Sequence, residues 1–317
     1  MAARKGKAPA TRIQKRGKGH SYYLDGVKAP GVTTVLSNGI PKPALQGWAA
    51  KMCAQFVVNR LNVTRNADGD VRIVADQLVE DAYAWNETRD YGRERINRSE
   101  PLDRAALEKI LTNVRYRDRD EASARGTEVH MLAEKLAAGE TVDVPDELAG
   151  HVDAYLEFLE DWQPANAMLE CVFVNREWCY MGKGDIIADF HHMAWTSGPN
   201  VGQPMGRGLL DIKTSRSGIF AETALQTEGY AHCETIVHDD GTESPMPHID
   251  FVGAIWVRAD GYDVYTFDRG EDNTGDDTFD TFLYAKAIGE WLDRDGPAGS
   301  IKSDSHTAPE PIGTEDD

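Results

Sequence analysis

Apolar residues recur every three or four positions over the first half of the chain and cluster in short runs over the second half. Near the start, Asp25-Gly26 lies between Tyr22-Tyr23-Leu24 and Val27, a turn dipeptide with apolar flanks that predicts a β-hairpin. Val32 to Leu36 is a short apolar segment, and Pro41 and Pro43 then break the pattern. From Ala44 to Leu61, Leu45, Trp48, Ala49, Met52 and Phe56 fall on one side of a helix, and Asp76–Trp85 and Asp103–Val114 carry helical patterns too. Arg115–Arg125 is dense in charge of both signs. Ala122–Ala138 is the clearest helix, with Val129, Leu132, Ala133 and Leu136 in one stripe and Gly139 at the C′ position. Another helix is expected from Pro145, with Leu148, Val152, Leu156 and Leu159 inward and Pro164 ending it.

The character changes at Met168. Met168–Val174, Tyr180–Phe190 and Gly208–Thr214 read as strands, with a Gly-, Pro- and Ser-rich loop from Trp195 to Arg207. Phe220–Val237 is predicted helical, Phe251–Arg258 and Tyr262–Phe267 form a hairpin around Ala259-Asp260-Gly261, and Thr278–Asp293 is a last helix. Helices followed by β-β-β-α-β-β-α predict an α/β (α+β) fold: a mixed central sheet flanked by helices, preceded by an N-terminal helical region. No internal repeat is visible.

Composition refines this picture. The 317 residues are 41% hydrophobic and 27% charged, which suits a water-soluble globular chain. No apolar run approaches the ~20 residues of a membrane span, and the basic start lacks the apolar core of a signal peptide. A cytoplasmic protein with no membrane partner is the expectation. The net charge of −19 argues against a surface coated for nucleic acid, but the charge is uneven. Residues 1–20 carry Arg4, Lys5, Lys7, Arg12, Lys15, Arg16 and Lys18 and no acid. Residues 296–317 carry five acids against the single Lys302. Both ends lack apolar residues to bury, so 1–20 is expected as a disordered basic arm and 294–317 as a disordered acidic tail. Between them lie a hairpin and helical region, 21–121, and a core, 122–293. Cys53, Cys171, Cys179 and Cys233 form no CxxC pair or zinc pattern and read as reduced thiols, mostly buried.

The chemistry centres on Leu209-Leu210-Asp211-Ile212-Lys213-Thr214. On a strand, Asp211 and Lys213 point the same way while Leu210 and Ile212 point into the core. A carboxylate that can hold a hard cation, next to an ammonium that can orient water and offset developing charge, suits phosphodiester hydrolysis. The tripeptide alone is common on protein surfaces, and its weight comes from its company. Gly182-Lys183-Gly184-Asp185 precedes the apolar run Ile186-Ile187-Ala188, putting a second carboxylate at a strand start after glycines that permit a tight bend. It is not a phosphate-binding P-loop, because no Ser or Thr follows the lysine. In Gly126-Thr127-Glu128-Val129-His130, His130 lies one step from the apolar stripe of its helix, where a neutral imidazole can ligate a metal. Gln226 and Tyr230, i and i+4 on the helix after Lys213, share a face suited to hydrogen bonding a phosphate or stacking on a base.

The order GTxxH, GxxD, DxK-Thr, QxxxY resembles the RecB-like branch of the PD-(D/E)XK nuclease superfamily over about residues 126–230. Tyr23-Leu24-Asp25-Gly26, Pro30-Gly31-Val32-Thr33-Thr34-Val35-Leu36 and Pro43-Ala44-Leu45 with Trp48-Ala49 are similar to phage-encoded exonucleases of this group and to the mitochondrial genome-maintenance exonucleases. The resemblance implies a restriction-endonuclease-like core. Residue by residue, it makes His130, Asp185, Asp211 and the backbone carbonyl of Ile212 the ligands of Mg²⁺ or Mn²⁺, and Lys213 the catalytic lysine. Gln226, Tyr230 and Thr214 would contact the substrate strand, and Glu170 matches an acidic position near the site. The related CRISPR-associated exonucleases hold an iron–sulfur cluster through one early and three late cysteines; with no cysteine after Cys233, none is expected here. The function implied is a metal-dependent DNA exonuclease, acting on single-stranded ends in phage replication or recombination alongside the proteins of those processes. By the same likeness, residues 44–114 would arch over the site and thread a strand. The alternatives are a structure-specific endonuclease of the same superfamily, a non-catalytic DNA-binding recombination protein, and an acidic DNA mimic.

Overall fold

The computed structural model describes residues 11–16, 19–87, 108, 111–112, 117–137, 139–198, 200–238 and 240–295. The chain divides into two units, one formed by Met1–Pro41 with Glu128–Asp317, the other by Lys42–Thr127. In the first, β1 (Arg12–Arg16), β2 (Gly19–Leu24) and β3 (Val27–Ala29) make a small antiparallel sheet. Asp25 and Gly26 adopt the positive φ of 49° and 89° that the expected hairpin turn demands. The basic stretch from Arg12 to Arg16 is therefore a strand rather than part of a disordered arm; Ile13 packs against Tyr22 and Leu24, an anchor that composition alone concealed. The first ten residues lie outside the described residues. The apolar segment after Gly31 is a helix, α1 (Val32–Gly39), which buries Val32, Val35 and Leu36.

The second unit contains α2 (Pro43–Val58), the hairpin β4 (Asn62–Arg65) and β5 (Val71–Val74), and α3 (Asp76–Glu87). Phe56 and Leu78 form its small core, and Arg60 pairs with Asp81 at 2.7 Å while lying over the Phe56 ring. The hairpin was not expected, although Asp68-Gly69 between Val63 and Val71 is the same turn signal as Asp25-Gly26. Most of the helix expected over 103–114 lies outside the described residues.

Helix α4 (Arg117–Ala137) leads back into the first unit and ends as its sequence predicts, with Gly139 at φ +78° donating its N–H to Leu136. A single 3₁₀ turn, Asp146–Leu148, precedes α5 (Ala149–Trp162). Its inward residues are Val152, Tyr155 and Phe158, whereas Leu156 is exposed. The central sheet then follows: β6 (Ala165–Asn175), β7 (Tyr180–Asp189), β8 (Arg207–Lys213), α6 (Glu222–Ala231), β9 (Thr235–Val237), β10 (Glu243–Pro245), β11 (Phe251–Arg258), β12 (Gly261–Thr266) and α7 (Asp276–Asp295). The strand order is β10-β9-β6-β7-β8-β11-β12, antiparallel except for the β8–β11 pair. The helix expected to reach Val237 stops at Ala231, because the β-branched run Thr235-Ile236-Val237 pairs with β6. The acidic tail beyond residue 295 lies outside the described residues.

This is a mixed α/β architecture, a seven-stranded mixed sheet flanked by helices. One face buries Phe173, Ile187, Leu209 and Val252 against α1, α6 and α7. The other buries Ile186, Leu210, Ile212 and Ile255 against Ala133 of α4 and Tyr155 and Phe158 of α5. The small β1–β3 sheet covers Val174 and Met181. Among the described residues no helix is long and apolar enough to cross a membrane.

Candidate active site

Strand β8 alternates as its sequence requires. Leu210 and Ile212 enter the α4/α5 core, and Leu209 enters the opposite one. Asp211 and Lys213 therefore face α6, where Gln226 meets both. Its Nε2 donates to Asp211 Oδ1 at 2.7 Å and to the Tyr230 hydroxyl at 3.0 Å, and its Oε1 accepts from Lys213 Nζ at 2.9 Å. Lys213 Nζ also lies 2.6 Å from Asp211 Oδ2, an ion pair rather than a directed hydrogen bond. Asp211 is only 4% exposed. Burial raises its pKa, and the neighbouring Asp185 charge adds to this against the pull of Lys213 and His130.

Asp185 comes from β7, preceded by glycines whose role differs from the one expected. Gly182 and Gly184 lie inside the strand and lack the positive φ of a tight bend. They are there for clearance: a Cβ on Gly182 would sit 2.4 Å from Tyr230 Cε1, and one on Gly184 2.6 Å from Phe173 Cε2. The rings of Tyr230 and Phe173 thus lie flush on the sheet. Past this point the alternation slips. Gly184 faces the Tyr230 side, yet Ile186, two residues on, packs in the opposite core. On β6, Leu169 and Cys171 are likewise two apart and pack on opposite faces, with Glu170 between them at φ +51°. A left-handed backbone inside a strand is strained for glutamate, and such strain persists where the surroundings fix it. The flanking pairs Cys171↔Gly184 and Leu169↔Ile186 put Glu170 and Asp185 opposite each other at this irregularity.

The β7–β8 ladder stops at the neighbouring step. Its last pair is Ile186↔Leu210, and the Ile212 N–H then donates at 2.6 Å to Asp185 Oδ2 instead of to a strand carbonyl. Asp185 Oδ1 lies 3.0 Å from Nδ1 of His130, on α4, whose side chain is 30% exposed. Burial lowers the His130 pKa, but the charge and hydrogen bond of Asp185, helped by Asp211 and Glu170, overcome it and raise the value to about 9. Glu170 is raised by burial despite contact with the ammonium of Lys183. Ligand atoms of His130, Glu170 and Asp185 all lie within 4.8 Å of one another.

One imidazole nitrogen and two carboxylates at that separation fit a divalent cation such as Mg²⁺ or Mn²⁺. The convergent set differs from the expected one: Glu170 belongs to it, while Asp211 is turned to Gln226 and Lys213. Ile212 meets these groups through its N–H, which donates to Asp185 Oδ2. Gln226 and Tyr230, expected to touch substrate, are buried beside Asp211. Tyr230 is 2% exposed, enclosed by Phe173 and the two glycines, and Gln226 is spent on Asp211, Lys213 and Tyr230. Thr214 follows the end of β8, half-buried. Sequence reading missed Lys183 as the partner of Glu170 and Tyr155 under the site. Burial raises the Tyr155 pKa, with the charges of Asp185 and Glu170 adding to it. Nothing in the spacing of either residue announces the contact.

Cys171 and Cys233 are buried, Cys53 is partly buried and Cys179 is exposed. In comparison with known proteins, no family model matches the chain and no curated protein matches it.

Proposed function

We propose that this chain is a divalent-metal-dependent nuclease with a restriction-endonuclease-like core that hydrolyses phosphodiester bonds in DNA, acting as an exonuclease on single-stranded ends in phage replication or recombination. The observation that carries the reading is the meeting of two groups at the end of the β7–β8 ladder. One is the convergent His130, Glu170 and Asp185, and the other is the buried Asp211 with its partly exposed partner Lys213, both held by Gln226. The antiparallel β6–β7–β8 run, followed across α6 by the parallel strand β11, supports it as the framework.

His130, Glu170 and Asp185 would hold Mg²⁺ or Mn²⁺, with Asp211 beside them. When bound, the ion supplies Lewis acidity toward a phosphate oxygen and a more acidic water. The Lys213 side chain is partly exposed, and its ammonium is held between Asp211 and Gln226. There it orients the attacking water and offsets charge developing on the phosphate oxygens as the new P–O bond forms and the old one breaks. Gln226 keeps the lysine and Asp211 in register, and Asp185, tied to the Ile212 N–H, fixes one strand against the other.

The test is digestion of end-labelled single-stranded DNA with Mg²⁺ or Mn²⁺ by the wild type and by Lys213→Ala. Divalent-dependent cleavage that falls at least about a hundredfold in the variant, whose fold is retained, is the expected result. Equal cleavage by both proteins refutes the catalytic assignment. A covalently closed circular substrate separates the modes, since an end-dependent enzyme leaves it intact and an endonuclease of the same chemistry opens it.

A further inference from the structure

Each carboxylate at the site has its own cationic partner: Asp211 has Lys213, Asp185 has His130, and Glu170 has Lys183. Lys213 is also held by Gln226, and His130 is fixed by its helix. Lys183 is different. Gly182 and Gly184 face Tyr230, so strand alternation sends Lys183 to the opposite side of the sheet, the side of Met181 and the β1–β3 sheet. There its ammonium contacts Glu170 Oε2, while the side chain remains 34% exposed. Its charge reaches β2, where burial first and Lys183 second lower the pKa of His20. Glu170 is also the residue with the strained φ, which carries its carboxylate to within 4.8 Å of the ligand atoms of His130 and Asp185. The same carboxylate thus serves two sites, a lysine ammonium and a convergent ligand set.

We propose that Lys183 is an internal counter-cation that occupies Glu170 until a divalent ion displaces it. This rests on reading His130, Glu170 and Asp185 as a cation site. Loading is then an exchange of one cation for another at Glu170. The unloaded site avoids repulsion among three neighbouring carboxylates, and the ammonium leaves through its exposed side as the ion enters. Affinity for the ion is weakened by the strength of the pair that must be broken.

The probe is Mn²⁺ alone, titrated without DNA at pH 8 and low ionic strength, with free ion read by electron paramagnetic resonance. Lys183→Met is expected to bind Mn²⁺ about threefold to fivefold more tightly than wild type, the scale of a partly exposed ion pair at low salt. Lys183→Arg is expected to stay near wild type. Lys183→Gln, isosteric enough to fold where Met does not, is expected to repeat the gain. Glu170→Gln weakens binding, and in that background removing Lys183 brings no gain, because the partner it competed for is gone. Unchanged or weaker binding by the Lys183 variants, with Glu170→Gln still weakening it, overturns the exchange and leaves the cation site standing. An equal gain in both Glu170 backgrounds also overturns it, reducing Lys183 to a general field. No Mn²⁺ binding by the wild type at millimolar ion overturns the cation site and the exchange together.

Discussion

Replacing Gln226 by leucine removes a group that touches Asp211, Lys213 and Tyr230 together. Hydrogen bonds of 2.7, 2.9 and 3.0 Å are lost, two of them to charged groups. Bonds to charged partners contribute about 1.5–3 kcal/mol each and neutral ones about 0.5–1.5 kcal/mol, though such contributions do not sum within a network. The larger effect is on Asp211, 4% exposed, whose Oδ1 loses its donor. Leucine fills much of the volume, so a cavity adds little. The expected net loss is about 2–4 kcal/mol, or about 5–15 °C in Tm for a folded unit of this size. Calorimetric or circular dichroism melts of the metal-free protein at pH 7.5 measure it. Gln226→Glu sharpens the test, because it keeps an oxygen for Lys213 but sets a second carboxylate against Asp211. Two buried acids in contact share a proton, so their folded pKa values rise. The variant should then be near wild type at pH 5 and lose stability as pH rises toward 8. A Leu variant within about 1 kcal/mol of wild type, or a Glu variant no worse at pH 8 than at pH 5, refutes the network as described.

In the metal-free protein, His130 should titrate near 9 in an imidazole NMR experiment, and Asp185→Asn should move it down, since burial then acts with less opposition. Because the folded value lies above the model-peptide value of 6.5, the stabilisation His130 brings is complete below pH 6.5 and is lost as pH climbs through about 9. A His130 titration unmoved by Asp185→Asn rejects the pairing. Arg269→Met removes from Glu228, wholly buried and bridged by Arg269 at 2.8 and 3.1 Å, its bidentate partner and leaves it the His232 imidazole at 3.4 Å. The expected cost is about 3–5 kcal/mol, with partial recovery in Arg269→Met/Glu228→Gln, and a melting loss under 2 °C would argue against a buried pair. Gly184→Ala drives a methyl to 2.6 Å from Phe173 Cε2 and should cost about 1–3 kcal/mol, relieved by Phe173→Leu. Chemical denaturation reads both, and an alanine variant as stable as wild type dismisses the clearance role of the glycine.

Much of the element order was legible. Period-two alternation in Leu209–Lys213 and the apolar run after Asp185 carry strand information locally, so β7 and β8 fall where their residues put them. The turn dipeptide Asp25-Gly26 and the terminal Gly139 act through backbone conformation alone and needed no partner to be read. The errors share a cause. Ile13, Leu156 and Thr235–Val237 take their state from a neighbour in space: the hairpin under β1, the outer side of α5, the open edge of β6. A helical or featureless pattern cannot announce a strand that forms because an unpaired edge is within reach.

The site divides along the same line. A two-residue repeat put Asp211 and Lys213 on one strand face, whereas His130 and Asp185 joined them only through the resemblance of the motif order to a known family. Sequence reading also marked Gly182 and Gly184, though for the wrong reason, since clearance for the Tyr230 ring from α6 and the Phe173 ring from the neighbouring strand leaves no local trace. Tertiary structure alone decided that the strands part at Asp185, that a left-handed Glu170 lies with its carboxylate within 4.8 Å of the donor atoms of His130 and Asp185, and that Gln226 and Tyr230 pack together beside Asp211. Those outcomes depend on how two strands and two helices meet across the sheet, and a one-dimensional pattern does not encode the distance between side chains that only packing brings together.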